Sequence, residues 1–316
     1  SGVKVQTEKV WGYANEFGAT AGIFINKMDR ERADFARTIE DIKKNFTDKT
    51  CLAVQVPIGQ EEDFKGIIDL LSMKAYIYKD DVSGVFDTVD IPAAEADLAQ
   101  KYREQLVETA VEMDDEVMER YLNGDEIRPE EIEKCLNSGI AGNKIVPIFC
   151  GSAVKNIGIN TLLDNIVKLF PAPTFKKEID GINPKNGEKM VREQSGAQPF
   201  SALVFKTITD PFAGKLTMFR VYSGEIHPDM TVLNVLKDEK ERIGQIFYLV
   251  GKKQKPAGAA SAGDIAVVAK LKDVQTGDTL CDEKAPIRYE GVTVPSPVIS
   301  FSLQPKAKGD EDKLNT

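Results

Sequence analysis

Two apolar runs, each followed by a short polar loop, constrain the fold of this chain most. Residues 21–25 predict a buried strand that ends at Asn26-Lys27-Met28-Asp29. Residues 144–150 predict a second strand, which ends at Gly151-Ser152-Ala153. Ligands of open α/β sheets bind beyond the carboxyl ends of the strands, so both loops are expected to border one ligand site.

The residue types in these loops suit guanine. The Asp29 carboxylate can accept hydrogen bonds from guanine N1–H and the 2-amino group, whereas adenine would leave a buried carboxylate unpaired at a cost of about 1–3 kcal/mol. Asn26 can brace the loop or contact N7, and the Lys27 stem can lie along the purine face. After the small residues Gly151 and Ser152, the Ala153 amide can donate to guanine O6. For N-K-x-D alone, a strand followed by a charged turn is the alternative interpretation.

With both loops in view, the chain resembles translational GTPases, and most closely elongation factor G. The resemblance extends nearly from end to end. It includes the motifs V-Q-T-E-K-V-W, N-K-M-D-R, C-G-S-A-V-K-N, F-S-A-L-V-F-K-T, D-P-F-A-G-K-L, F-R-V-Y-S-G and L-K-D-V-Q-T-G-D-T-L-C-D. It implies GTP or GDP as the nucleotide, with Mg²⁺ bound only in the intact protein. It also implies the ribosome as partner, through ribosomal RNA and ribosomal proteins.

The predicted fold is a partial P-loop GTPase sheet of Rossmann-like α/β type with an α+β insert, followed by a β-barrel. The insert is expected to contain one long helix with Leu98 and Tyr121 on the same stripe, and residues 298–303 are expected to form a strand. The helix over residues 159–170 is expected to pack Ile159, Leu162, Leu163, Ile166 and Phe170 inward. The assigned segments are the GTP-binding domain (1–56 and 142–175), the insert (57–141), a linker (176–197), the barrel (198–290) and the start of a third domain (291–316).

The sequence contains no G-x-x-x-x-G-K-[ST] phosphate cradle. A D-x-x-G match at Asp81–Gly84 lies in the insert, after the guanine loop, where it cannot sense a γ-phosphate. We therefore expect a fragment that keeps guanine recognition, contains no catalytic residue and does not turn over GTP. An apolar sheet edge left exposed by the missing strands predicts self-association.

Net charge is −9, from 41 basic and 50 acidic residues, which argues against nucleic-acid binding over the whole surface. It does not exclude a local basic patch. We consider six basic residues as a contact with ribosomal RNA, namely Lys237, Lys240, Arg242, Lys252, Lys253 and Lys255. The alternative is that they only keep the protein surface soluble.

The four cysteines show no C-x-x-C spacing and there is a single histidine, so no metal site is predicted. No apolar run approaches the ~20 residues of a membrane span, and no leader precedes the first helix, so the expected location is cytoplasmic.

Three functions remain open from the sequence. The first is a ribosome-dependent GTPase that promotes translocation of tRNA and mRNA. The second is a paralogue of elongation factor G of the ribosome-recycling or tetracycline-protection type. The third is a non-catalytic module that binds the ribosome or another partner. Titration with GDP separates the third from the other two.

Overall fold

The computed structural model describes residues 2–210, 214–251, 253–293 and 296–305. The chain divides into two compact units, Ser1–Ala172 and Pro173–Thr316. We describe each unit by itself.

The first unit combines a parallel sheet of three strands, in the order β1-β7-β2, with an antiparallel sheet of four, in the order β3-β4-β5-β6. The parallel sheet carries the two predicted loops, and the antiparallel sheet belongs to the insert. The elements in chain order are α1 (Val5–Glu16), β1 (Ile23–Ile25), α2 (Phe35–Asn45), β2 (Thr50–Ala53), β3 (Gln55–Ile58), β4 (Gly66–Asp69), β5 (Lys74–Tyr78), β6 (Phe86–Val89), α3 (Ala96–Val111), α4 (Asp115–Leu122), α5 (Pro129–Ala141), β7 (Ile145–Cys150) and α6 (Ile159–Leu169).

Apolar residues of the parallel sheet and of the insert share one core. Strand β7 lies between β1 and β2, and all six of its residues are buried. Helix α2 begins where Asp34 accepts a hydrogen bond from the Arg37 amide at 2.9 Å, and it buries an apolar stripe that includes Ile39 and Ile42. The central strand and this helix therefore fix the edge from which both loops emerge.

Within the insert, α3 and α4 take the place of the one long helix that was expected between Leu98 and Tyr121. Helix α3 ends at Val111, and α4 begins after Asp114, whose Oδ1 accepts a hydrogen bond from the Val117 amide at 3.2 Å. An aspartate at this position satisfies a free amide at a helix start, so it favours a new helix over continuation of the old one. The apolar stripe continues across the break, which is why periodicity alone predicted a single helix.

The predicted apolar stripe of α6 is confirmed only in part, because Leu162 and Phe170 pack against the core but Leu163 and Ile166 do not. Thr161, Asn165 and Leu169 are buried, whereas Leu163 is 58% and Ile166 44% exposed. The buried polar side chains are satisfied within the helix region, because Thr161 Oγ1 donates to the Gly158 carbonyl and Asn165 Nδ2 to the Thr161 carbonyl. The helix can therefore bury its polar positions and leave apolar ones outside.

The second unit is built around an antiparallel sheet of eight strands in the order β14-β13-β19-β10-β11-β18-β15-β16. Two smaller pairs, β8-β9 and β12-β17, accompany it. The strands are β8 (Glu178–Ile182), β9 (Lys189–Glu193), β10 (Ser201–Asp210), β11 (Gly214–Ser223), β12 (Glu225–Ile226), β13 (Thr231–Asn234), β14 (Glu239–Arg242), β15 (Ile246–Val250), β16 (Lys253–Ala257), β17 (Ala260–Ser261), β18 (Ile265–Ala269) and β19 (Thr279–Cys281).

One core is shared by strands from distant positions in this sheet. Val232 on β13, Phe219 on β11 and Ile246 on β15 belong to the same buried cluster. Because these strands lie far apart in the hydrogen-bonded order, the sheet wraps around its core in the manner of a β-barrel. The β-rich unit following an α/β unit agrees with the predicted fold class.

Two segments of the second unit differ from the sequence-based expectation. The stretch 176–197, assigned as a linker, contains the hairpin β8-β9. Its turn carries Asn186-Gly187, with Gly187 at φ 73°, which is turn chemistry typical of a hairpin. Residues 298–303, expected to be a strand, are assigned to no strand, and Val298 and Phe301 are 99% and 82% exposed. A strand needs a partner for its backbone groups, and the described residues supply none.

Within the part of the chain that the structure describes, no helix has the length and apolar character needed to cross a bilayer.

Candidate functional site

The two predicted loops leave the parallel sheet side by side. Strands β1 and β7 are parallel neighbours, and Ile25 lies opposite Cys150 at the point where both end. The Gly151 amide donates to the Ile25 carbonyl at 3.0 Å, and the Met28 amide donates to the Gly151 carbonyl at 3.1 Å. These backbone hydrogen bonds hold the N-K-M-D loop (residues 26–29) against the Ser–Ala loop (residues 151–158). The structure therefore brings together residues that are more than a hundred positions apart in the sequence.

Asn26 ties the two loops together through its side chain. Its Oδ1 accepts hydrogen bonds from the Lys27 amide at 2.8 Å and from the Ala153 amide at 3.0 Å. The predicted bracing role thus extends to the other loop. The Ala153 amide, which was expected to donate to guanine O6, donates to Asn26 instead. Sequence reasoning missed this bond because it joins side chain and backbone across 127 residues.

Asp29 presents a buried carboxylate oxygen with no partner. Its side chain is 9% exposed, and its Oδ2 lies 3.8 Å from Arg30 Nε. Among the described residues, nothing hydrogen-bonds to Asp29 Oδ1. A buried acceptor left unpaired costs about 1–3 kcal/mol, so a ligand that brings N–H donors stabilises Asp29 once the loop shifts to expose this oxygen. Guanine, with N1–H beside its 2-amino group, is such a ligand.

Ser152 and Gly151 shape the loop by close packing. Ser152 is fully buried, its Oγ accepts from the Lys155 amide at 3.2 Å, and its backbone forms a bridge with Ile157. A Cβ on Gly151 would lie 2.3 Å from the Ile157 carbonyl oxygen and 2.8 Å from the Phe24 ring. Both residues therefore hold the turn that carries Ala153, and the Ser152 hydroxyl is already engaged there.

Lys27 is exposed and has a left-handed backbone with φ 65°. It lines a cavity of about 530 Å³ beside β1, together with Phe24, Asn26 and residues of α1 and α2. Asp29 and residues 151–153 do not line this cavity. The cavity therefore borders the N-K-M-D loop at Asn26, Lys27 and Met28 but reaches neither Asp29 nor the Ser–Ala loop.

The predicted basic residues of the second unit fall into two groups. Three are paired with acids: Lys237 with Asp273, Lys240 with Glu283 at 2.8 Å, and Arg242 with Asp229 at 2.9 Å. Lys253 and Lys255 are exposed on β16, and the described residues give them no ion pair. Strands β14 and β16 stand at opposite ends of the hydrogen-bonded order. Lys252 lies outside the described residues.

Metal ligands and cysteines are the remaining candidate groups among the described residues. Among the described residues, no group of three or more His, Cys, Asp or Glu side chains could hold a metal ion. The four cysteines are buried free thiols. Burial raises the pKa of Cys51 to about 11 and also raises that of Cys150, so both stay protonated at neutral pH.

Comparison with known proteins identifies both units. Residues 1–172 match the elongation factor Tu GTP binding domain, and residues 199–283 match domain 2 of elongation factor G. A crystal structure of a protein from Thermus thermophilus is similar over 100% of this chain, with 26% sequence identity and a TM-score of 0.82. The chain spans 44% of the length of that protein.

The fold and the matches define a GTP-binding domain followed by a β-rich domain. The chain belongs to the translational GTPase family. Its GTP-binding domain implies that it binds guanine nucleotides.

Proposed function

We propose that the first unit selects guanine nucleotides, GDP and GTP, through Asp29. The observation that carries this proposal is the buried Asp29 Oδ1, which has no hydrogen-bond partner among the described residues. Guanine N1–H and the 2-amino group satisfy the carboxylate, while the Lys27 stem covers one face of the base. Asn26 and Gly151, Ser152 and Ala153 keep the two loops together. On binding, the Ala153 amide turns from Asn26 Oδ1 to guanine O6, and the backbone hydrogen bonds of Gly151 with Ile25 and Met28 keep the loops together.

Titration of the chain with GDP and with ADP tests this selection. We expect GDP to bind more tightly than ADP, and Asp29→Ala to weaken GDP binding about ten- to hundredfold, because two hydrogen bonds to a charged group are lost. Asp87→Ala, which removes an exposed carboxylate in the insert, is the control and should leave binding unchanged. Equal affinity for GDP and ADP, or an Asp29→Ala variant that binds like the unmodified chain, would contradict the proposal.

In the longer protein, these units belong to a ribosome-dependent GTPase of the cytoplasm that promotes translocation of tRNA and mRNA. The match to domain 2 of elongation factor G supports this role. Paralogues of the ribosome-recycling or tetracycline-protection type remain the alternative, because the two matched domains do not separate them from the translocation factor. Mg²⁺ accompanies the nucleotide phosphates in that protein. Because residues 1–316 contain no phosphate-cradle motif, we expect no GTP turnover by this chain. Phosphate release at the rate of an intact factor would contradict that expectation.

Lys253 and Lys255 are the proposed contact with ribosomal RNA. They are exposed and free of ion pairs among the described residues, unlike Lys240, which is paired with Glu283. Binding of the chain to ribosomes at several salt concentrations tests them. Removing each lysine should reduce the slope of log affinity against log salt by about one. Lys240→Ala is the control and should change the slope less. An unchanged slope in Lys253→Ala/Lys255→Ala would contradict the assignment.

A further inference from the structure

The Ser–Ala loop is hydrogen-bonded to a turn of the insert that lies far away in the sequence. Asn156 Nδ2 donates to the Val82 carbonyl at 3.2 Å across 74 residues. Asn160 Nδ2 donates to the Gly84 carbonyl at 2.9 Å across 76 residues. Both acceptors lie in the turn between β5 and β6, which we define as residues 79–85. Asn156 in the Ser–Ala loop and Asn160 in the first turn of α6 thus both bind the same turn of the insert.

Hydrogen bonds within the turn hold its own backbone in place. The Ser83 amide donates to Asp81 Oδ1 at 3.0 Å, the Val85 amide to Ser83 Oγ at 3.1 Å, and the Lys79 amide to the Val85 carbonyl at 2.9 Å. Val82 has φ 60°, a conformation that β-branched residues rarely adopt. A strained residue of this kind persists only where its surroundings enforce it, and the hydrogen bonds of the turn do so here.

Gly84 lets the asparagines approach the turn. Its φ is 76°, and a Cβ at this position would lie 2.6 Å from Asn156 Nδ2 and 3.2 Å from Asn160 Oδ1. Any other residue would therefore both strain the turn and push the two side chains away. The contact depends on the shape of the insert as well as on the asparagines.

The contact continues into the guanine loops. Asn156, with φ 55°, lies inside the bridge in which Ser152 and Ile157 exchange backbone hydrogen bonds at 2.9 and 3.0 Å. That bridge carries Ala153, whose amide holds Asn26. Hydrogen bonds and the short backbone segments between them thus connect the insert to the N-K-M-D loop.

We propose that the β5–β6 turn of the insert positions the Ser–Ala loop for guanine, so that the insert sets the affinity of the site for guanine nucleotides. Asn156 and Asn160 are positioning residues that act through the loop backbone and do not contact the base. The effect on affinity rests on the proposed guanine recognition. The effect on the loop itself does not.

Two variants break the contact from opposite sides: Asn156→Ala/Asn160→Ala in the loop and the start of α6, and Gly84→Ala in the turn. We expect each to weaken GDP binding about three- to tenfold, as for the loss of one or two net hydrogen bonds. Combining them should weaken binding by less than the product of the two effects, because both remove the same contact. Asn45→Ala is the control, since among the described residues its side chain hydrogen-bonds to Asp41 of α2 alone.

Hydrogen exchange of residues 151–158 without nucleotide gives an independent measurement. Both variants should speed exchange in this loop and leave strand β10 unchanged, whereas Asn45→Ala should do neither. Unchanged exchange in both variants would overturn the proposal, and so would a loosened loop with unchanged GDP affinity. If the unmodified chain binds no GDP, the proposed guanine recognition fails together with the effect on affinity. Hydrogen exchange then decides whether the turn holds the loop.

Discussion

Gly151 shows how closely the two loops depend on a single residue. A Cβ at this position would lie nearest to the Ile157 carbonyl oxygen and the Phe24 ring. The Ile157 carbonyl already accepts a hydrogen bond from the Ser152 amide. Neither neighbour can move without disturbing the bridge at Ser152 or the end of β1. Small residues after β7 were predicted to let a ligand approach. In the structure, close packing against Ile157 and Phe24 is a second reason for glycine at position 151.

Gly151→Ala is therefore expected to destabilise the first unit by about 1–3 kcal/mol, as overpacking in a filled core does. The matched control is Gly12→Ala in α1, where a Cβ would meet no atom within 4 Å. Because alanine favours a helix over glycine, that change should stabilise by about 0.5–1 kcal/mol. Urea unfolding of both variants checks the pair. Equal changes in the free energy of unfolding for the two substitutions would show that the close contacts at Gly151 do not exclude a side chain there.

At the scale of elements, the junction between α4 and α5 is held by one carboxylate. Arg120 donates to Glu131 through both terminal nitrogens, at 2.6 and 3.3 Å, and Arg128 adds its Nε and its amide, both at 3.1 Å. Hydrogen bonds from Arg120 and then Arg128 hold the pKa of Glu131 well below its usual range. Glu131 thereby joins the end of one helix to the start of the next.

This junction predicts an acid-dependent loss of stability. A carboxyl group whose pKa is lower in the folded state makes its full contribution to the free energy of unfolding above its unfolded pKa, about 4.3. That contribution is lost progressively as pH falls from there through the folded pKa. Glu131→Gln should therefore be less stable than the unmodified chain at pH 7, and the difference should shrink between about pH 4.5 and about pH 3. Urea unfolding over this range measures it, with the exposed Glu130→Gln as control. A difference independent of pH would contradict the assigned role.

The elements also show where sequence reasoning succeeds and where it fails. The strands β1 and β7 and their loops were predictable because each is an apolar run ended by polar or small residues. Three features were not predictable from the hydrophobic period. They are the helix cap at Asp114, the turn of the β8-β9 hairpin and the buried Asn165 in α6, none of which changes that period. The Asn26–Ala153 bond depends on the fold bringing distant residues together, and no local pattern signals it.

At the scale of the molecule, strand β1 is the open end of the parallel sheet. One edge of β1 pairs with β7, and no described strand pairs with the other. Ile23 and Phe24 are only half-buried there. Unpaired strand edges with apolar side chains favour association between copies. We therefore expect the predicted self-association to occur through the free edge of β1.

Light scattering over a range of concentrations tests this location. We expect the chain to associate as concentration rises, and Ile23→Lys to suppress association, because a charge on an edge strand opposes pairing. Val250→Lys, at an exposed position on β15, is the matched control and should have no such effect. A strict monomer at high concentration, or suppression by both substitutions, would count against the β1 edge.

The central claim is that Asp29 reads the hydrogen-bonding edge of guanine across the two joined loops. The most direct measurement is the ratio of GDP to xanthosine diphosphate affinity in the unmodified chain and in Asp29→Asn. Xanthine replaces the 2-amino donor with a carbonyl acceptor, which an asparagine amide can satisfy and a carboxylate cannot. We predict that the unmodified chain prefers GDP and that Asp29→Asn prefers the xanthine nucleotide. An Asp29→Asn variant that keeps the preference for GDP would contradict the account.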